Sequence, residues 1–210
     1  MKSNLLPIAQ SGLKYILSAL VALFVFEIFD FDFLTFVSFV FLIVFLYFFR
    51  NPERELPAFA QKSLVSPVDG VVTSIQEIED ENYAYVVEID ANYTNVGVLR
   101  VPMDSSVDAV TIHKGTRVAK SSKLFQDINE YAEILLSDNS NNKIKIVHRL
   151  KQSIDGISLD IIDAQKLRQA ARYGFAVNGT TFVYIPKNFR LNVSVANELK
   201  ASESLLGYFS

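Results

Sequence analysis

The stretch FFRNPERELPAFAQKSLVSPVDG, from Phe48 to Gly70, joins two segments of opposite character. The sequence before it is apolar and aromatic, and the sequence after it has the mixed composition of a globular protein. Inside the stretch, Arg50 and Arg54 make a basic border and Pro52 and Pro57 keep the chain extended. Ser66-Pro67-Val68-Asp69-Gly70 then reads as a turn after a short strand. The expected organisation is an anchor over 1–50, a linker over 51–63 and a β-rich body over 64–210.

Upstream, Leu13 to Phe29 and Phe33 to Phe49 are apolar runs at the low end of the roughly 17–25 residues that a helix needs to cross a bilayer. A signal peptide would show a cleavage site after one such run, whereas here a second run follows. Lys2, Lys14, Arg50 and Arg54 flank the outer ends of the pair, and the connecting tip carries Glu27, Asp30 and Asp32. The positive-inside rule then predicts two transmembrane helices with both ends in the cytoplasm. The protein is thus expected at the cell membrane as a multi-pass hairpin, with the soluble domain on the cytoplasmic side. A shallow hairpin dipping into one leaflet is the alternative.

Composition narrows the chemistry. With 210 residues there is room for one soluble domain of about 150 residues besides an anchor. A net charge of -3 offers no field for a polyanion, so nucleic acid is not an expected partner. There are no cysteines and only 2 histidines, which excludes thiolate nucleophiles and zinc-thiolate sites, and no metal site is expected.

Downstream, Val71–Ile78, Tyr83–Ile89 and Val96–Val101 are β-branched or aromatic runs separated by Gly, Pro, Asp and Asn clusters, the pattern of strands. Ile144–Ile154 and Ile157–Ile162 flank Asp155-Gly156, a pair that favours a tight hairpin. Asp163 to Arg172 reads as the one short helix, with Asp163 as N-cap and Gly174 beyond its end. Phe182–Ile185 and Leu191–Val195 close a mainly β domain.

Four pieces in order, the apolar pair with FFRNPERELP, then LVSPVDGVV, RYGFAVNGTTFVYIP and NVSVANELKASESLLGYF, resemble the short membrane-anchored form of phosphatidylserine decarboxylase. The resemblance implies a self-processing enzyme of phospholipid metabolism that converts phosphatidylserine to phosphatidylethanolamine. In that family a Ser after Gly attacks the Gly carbonyl, and the new chain end becomes a pyruvoyl group that draws off electrons as carbon dioxide leaves. An Asp and a His activate the Ser. The implied sites here are Asp69 for the Asp, Gly179-Thr180 for the cleavage point, and Ser106 where the family's PLDVH stretch carries its His.

The chain departs from that pattern in chemically consequential places. Thr180 replaces the Ser, and its extra methyl crowds the cyclic intermediate and would give a 2-oxobutanoyl group in place of pyruvoyl, so no pyruvoyl group is expected. Thr181 stands where the family has Arg, and Ser106 cannot serve as an imidazole. His113 reads as a solvated loop residue and His148 as a structural or edge residue of a strand. Without the family, Ala176 to Tyr184 is a hairpin with Asn178-Gly179 as its type I′ turn.

Two functions remain open from the sequence. One is a decarboxylase with Asp69 assisting and Thr180 as precursor of the keto group. The other is an uncut homologue that binds membrane phospholipid, a second copy of itself or an active decarboxylase. A lipoyl-like carrier or sugar-transport domain would need a displayed Lys or an active His, and neither is evident.

Overall fold

The computed structural model describes residues 7–55, 57–59 and 62–210, so Lys2 of the charge argument and Leu56, Ala60 and Gln61 of the linker lie outside it. The described chain forms two compact units, Met1–Glu53 and Arg54–Ser210.

In the first unit a 3-10 turn, Gln10–Gly12, leads into helix α1, Leu13–Ile28, and helix α2 spans Asp32–Phe48. The chain reverses between them through Asp30, at φ 57°. The helices pack side by side, with the Tyr15 ring 5.2 Å from that of Phe49 and 5.5 Å from that of Phe45. Gly12 is required by that approach, since a Cβ there would lie 2.4 Å from Phe49. Gln10–Ile28 is long and apolar enough to cross a membrane, while Asp32–Phe48 is a shorter apolar helix. Large side chains such as Phe24, Phe33 and Phe36 stay exposed on the pair, an apolar surface of the kind that marks a lipid or protein contact.

The second unit is mainly β. Its strands are β1 Ser63–Val65, β2 Gly70–Glu77, β3 Tyr85–Asp90, β4 Val98–Arg100, β5 Ser105–His113, β6 Tyr131–Ser137 and β7 Lys143–Leu150. The second half adds β8 Ser158–Leu159, β9 Lys166–Leu167, β10 Arg172–Phe175, β11 Gly179–Ile185, β12 Phe189–Leu191, β13 Glu198–Leu199 and β14 Leu205–Phe209. An eight-stranded antiparallel sheet runs β13-β2-β3-β11-β7-β6-β5-β9, and two three-stranded sheets run β1-β14-β12 and β4-β10-β8.

Period-two alternation sets the core. On β6, Ala132, Ile134 and Leu136 are buried, and Ile144 and Ile146 of β7 and Val183 and Ile185 of β11 join Val87 and Ile89 of β3 in the core of this unit. The alternation lapses at one end of the central strands. Residues 147–150 of β7, and both Thr180 and Thr181 of β11, are buried, so the sheet is covered on both faces there.

Three expectations are overturned. No helix forms over Asp163–Arg172; the helix of this unit is α3, Phe125–Ile128. The Asp163 carboxylate accepts a hydrogen bond from the Val110 amide of β5 and so caps nothing, and Ala164 and Ala170 sit at φ 62° and 66°, which break a helical run. Asp155-Gly156 does not join a hairpin, because β7 pairs with β6 and β11 while β8 pairs with β10. The buried Glu130 carboxylate accepts from the Ile157 amide and so fixes the segment before β8. Nor is 176–184 a hairpin: β10 and β11 belong to different sheets, with Asn178 at φ 55° redirecting the chain between them.

Ile146 is fully buried at the centre of this core. Ile146→Ala is expected to cost about 2–5 kcal/mol of stability, measured by urea unfolding in nonionic detergent.

Candidate functional site

The covered end of the eight-stranded sheet encloses a small hollow lined by Asp69, His148, Arg149, Gly179, Thr180 and Thr181, with apolar walls from Val68, Val96, Leu99 and Ala176. The turn after β1, the start of β11 and the end of β7 thus bring together three of the residues that the sequence singles out: Asp69, Gly179 and Thr180. Ser106 is not among them. It sits on β5 with its hydroxyl 3.2 Å from that of Ser137, which in turn donates to Asp108. His113 is also elsewhere, stacked 4.4 Å from the Tyr131 ring.

Asp69 is fully engaged. Its Oδ2 accepts from Arg54 at 2.7 Å and its Oδ1 accepts from the Ala201 amide at 2.8 Å, while Arg54 also donates to the Ala201 carbonyl. The Ser66 hydroxyl donates to the Val68 carbonyl across the same turn. In this arrangement the carboxylate ties the SPVDG turn to the 201 loop.

Thr180 and Thr181 are consecutive strand residues and therefore face opposite sides of the sheet. Thr180 lies opposite Asp90 of β3 and Arg149 of β7, is completely buried, and donates its hydroxyl to Asp90 Oδ1 at 2.9 Å. Asp90 is also bound by Lys151 and, at 3.2 Å, by Lys120, which reaches Glu88 as well at 2.6 Å. Burial opposes ionisation of Asp90, but hydrogen bonds from Lys151 and Thr180 and the charges of both lysines outweigh it and hold its carboxyl below the usual range. The Gly179 carbonyl accepts from the Ala91 amide at 2.9 Å, so the Gly179–Thr180 peptide is bonded into a central strand.

On the other face Thr181 lies opposite His148. His148 is no edge residue: β7 runs between β11 and β6, and the imidazole is buried. Its Nδ1 lies 2.8 Å from the Thr181 hydroxyl and its Nε2 2.6 Å from the Tyr173 hydroxyl. Burial pushes the His148 pKa down to about 3 and the Tyr173 phenol well above its ordinary value, so both are neutral. A neutral imidazole with one donating and one accepting nitrogen matches two hydroxyls completely. The sequence signal for this contact was present but faint: a lone His in a strand, with a Thr and a Tyr that only the sheet pairing brings to it. Among the described residues, no group of three or more His, Cys, Asp or Glu could hold a metal ion.

The burial of His148 has a pH consequence. The unfolded imidazole takes up a proton below pH 6.5 while the folded one resists down to about 3. Stability is therefore full above pH 6.5 and falls by up to about 1.4 kcal/mol per pH unit on acidification through that window. His148→Gln is expected to flatten this slope in unfolding free energies measured between pH 4 and 7.

The profile of the family described as phosphatidylserine decarboxylase matches residues 41–207. The protein named phosphatidylserine decarboxylase proenzyme from Desulfotalea psychrophila is 29% identical over 206 residues, covering 96% of each chain. That of Geotalea daltonii is 28% identical, covering 99% of each, and that of Syntrophus aciditrophicus is 29% identical, covering 78% of each.

Proposed function

Because this chain belongs to the phosphatidylserine decarboxylase family, we propose that it is a membrane-anchored homologue acting in phospholipid metabolism that keeps the family's headgroup site but stays uncut and does not decarboxylate. The observation that carries this reading is the division of labour across β11. The hydroxyl at the cleavage position, Thr180, is bound to Asp90 on one face, and the nearby imidazole, His148, is bound to Thr181 on the other. Among the described residues the base bonded to the Thr180 hydroxyl is the Asp90 carboxyl, which is held below its usual range.

The place of the family's His also supports it. Ser106 does not line the hollow. Ser106, at the family's His position, supplies no imidazole, and its hydroxyl lies 3.2 Å from that of Ser137. A pyruvoyl group does not fit residue 180 either, since a Thr precursor carries one methyl too many and is wholly enclosed.

In this reading α1 and α2 form a transmembrane hairpin over 1–50, the linker spans 51–63, and the β-rich domain of 64–210 lies at the cytoplasmic face. The charges of Lys14, Arg50 and Arg54 against Glu27, Asp30 and Asp32 support that orientation. The partners are membrane phospholipid and, through the same domain, a second copy or an active decarboxylase.

A second reading, self-cleavage by Thr180, is favoured by one contact: its hydroxyl already donates to a carboxylate. Denaturing electrophoresis and intact mass of the purified chain decide between them. One uncut polypeptide is expected, and loss of the segment Thr180–Ser210 as a separate fragment would establish the second reading. Thr180→Ser is expected to remain uncut as well, because removing the methyl supplies no imidazole.

A further inference from the structure

Thr180 is completely buried, although its side chain lies on the face of the eight-stranded sheet opposite Val183, Ile185 and the core. Burial on that face needs a cover. Strand pairing sets Asp90 of β3, Thr180 of β11 and Arg149 of β7 in one row across it. The segment between β5 and β6 meets both ends of this row. On the β3 side Lys120 pairs with Asp90 at 3.2 Å and with Glu88 at 2.6 Å. On the β7 side Arg149 donates to the Gln126 carbonyl, and its guanidinium lies 6.0 Å from the Phe125 ring centroid. The chain from Lys120 to Gln126 thus spans Thr180, and none of it lines the hollow.

The base of this segment is fastened more firmly than its crown. At the base the Thr116 amide donates to the Ile128 carbonyl and the Glu130 amide to the Thr116 carbonyl. The buried Asn129 side chain accepts from the Val118 amide and donates to the Val118 and Leu150 carbonyls. Residues 119–128 between these ties form a short loop with its ends held together. In that crown Phe125 is buried, but Leu124 and Ile128 stay exposed. The Lys120 side chain is 36% exposed, so salt screens its ion pairs. A loop with few buried apolar contacts opens at a lower free energy than the strands beneath it. We infer that 119–128 is a strap, hinged at Val118 and Asn129 and latched by Lys120, that opens independently of the sheet and controls solvent access to Thr180 and Asp90. The inference concerns access alone and stands whether or not the chain is cut.

The chain has no cysteine, so Thr180→Cys supplies a single thiol beneath the strap. Its reaction with a water-soluble maleimide is followed on the full chain in nonionic detergent, with adducts counted by intact mass. Val183→Cys, on the core face of the same strand, reports opening of the sheet itself. Adding Lys120→Ala is expected to speed labelling at position 180 by about two- to fivefold, the worth of a half-exposed ion pair. Labelling at position 183 is expected to stay unchanged. No change at 180, or an equal change at both positions, overturns the inference. Should Thr180→Cys fail to fold, hydrogen exchange of the unmutated protein decides. The Phe125 and Ile128 amides are then expected to exchange faster than those of β6 and β7. Protection equal to that of β6 and β7 would mean that the strap opens only with the sheet, which overturns the inference.

Discussion

A strand shows adjacent side chains to opposite sides of its sheet, and on β11 both residues 180 and 181 are polar and both are buried. That constraint governs the site. Each hydroxyl must find a partner on its own face, because a buried hydroxyl without one costs about 1–3 kcal/mol. Thr180 finds Asp90 across the β3 pair, and Thr181 finds His148 across the β7 pair. Once these bonds form, the carboxylate and the imidazole are separated by the thickness of the sheet. A base oriented by a carboxylate needs the two on one side, in contact with one hydroxyl. The two hydroxyl networks therefore stay on separate faces of the sheet.

The sheet can bury polar groups at this end because neither network leaves a hydroxyl unpaired. On the core face the neutral imidazole bridges two hydroxyls, and protonation would require all three groups to rearrange in a medium that penalises charge. On the other face the ions are compensated locally, with Asp90 held by two lysines. The first network is dry and neutral, the second charged and half exposed.

Much of this was legible in the sequence, and the failures share a cause. Alternating β-branched runs gave the strands, since alternation is a local property of the chain. The SPVDG turn was legible for the same reason, as its hydrogen bonds close within a few residues. Asp163 to Arg172 misled because its spacing is helical while its hydrogen bonds go to β5, a contact between distant parts of the chain. The hairpins expected at Asp155-Gly156 and Asn178-Gly179 failed likewise. Both turns have suitable residues, yet their flanking strands are claimed by other sheets. His148 was read as a structural or edge residue, and it is no edge residue; its partners Thr181 and Tyr173 become neighbours only through pairing of β7 with β11 and packing of β10.

The same distinction explains why short patterns reach residues that share one hollow but not the contacts those residues make. Asp69, Gly179 and Thr180 were located by short patterns, and these do converge on one hollow. Whether a hydroxyl is activated depends on which acceptor it meets, and that acceptor, Asp90, ends a strand whose sequence carries no motif. Bond-making at Thr180 would first require its hydrogen bond to Asp90 to be given up.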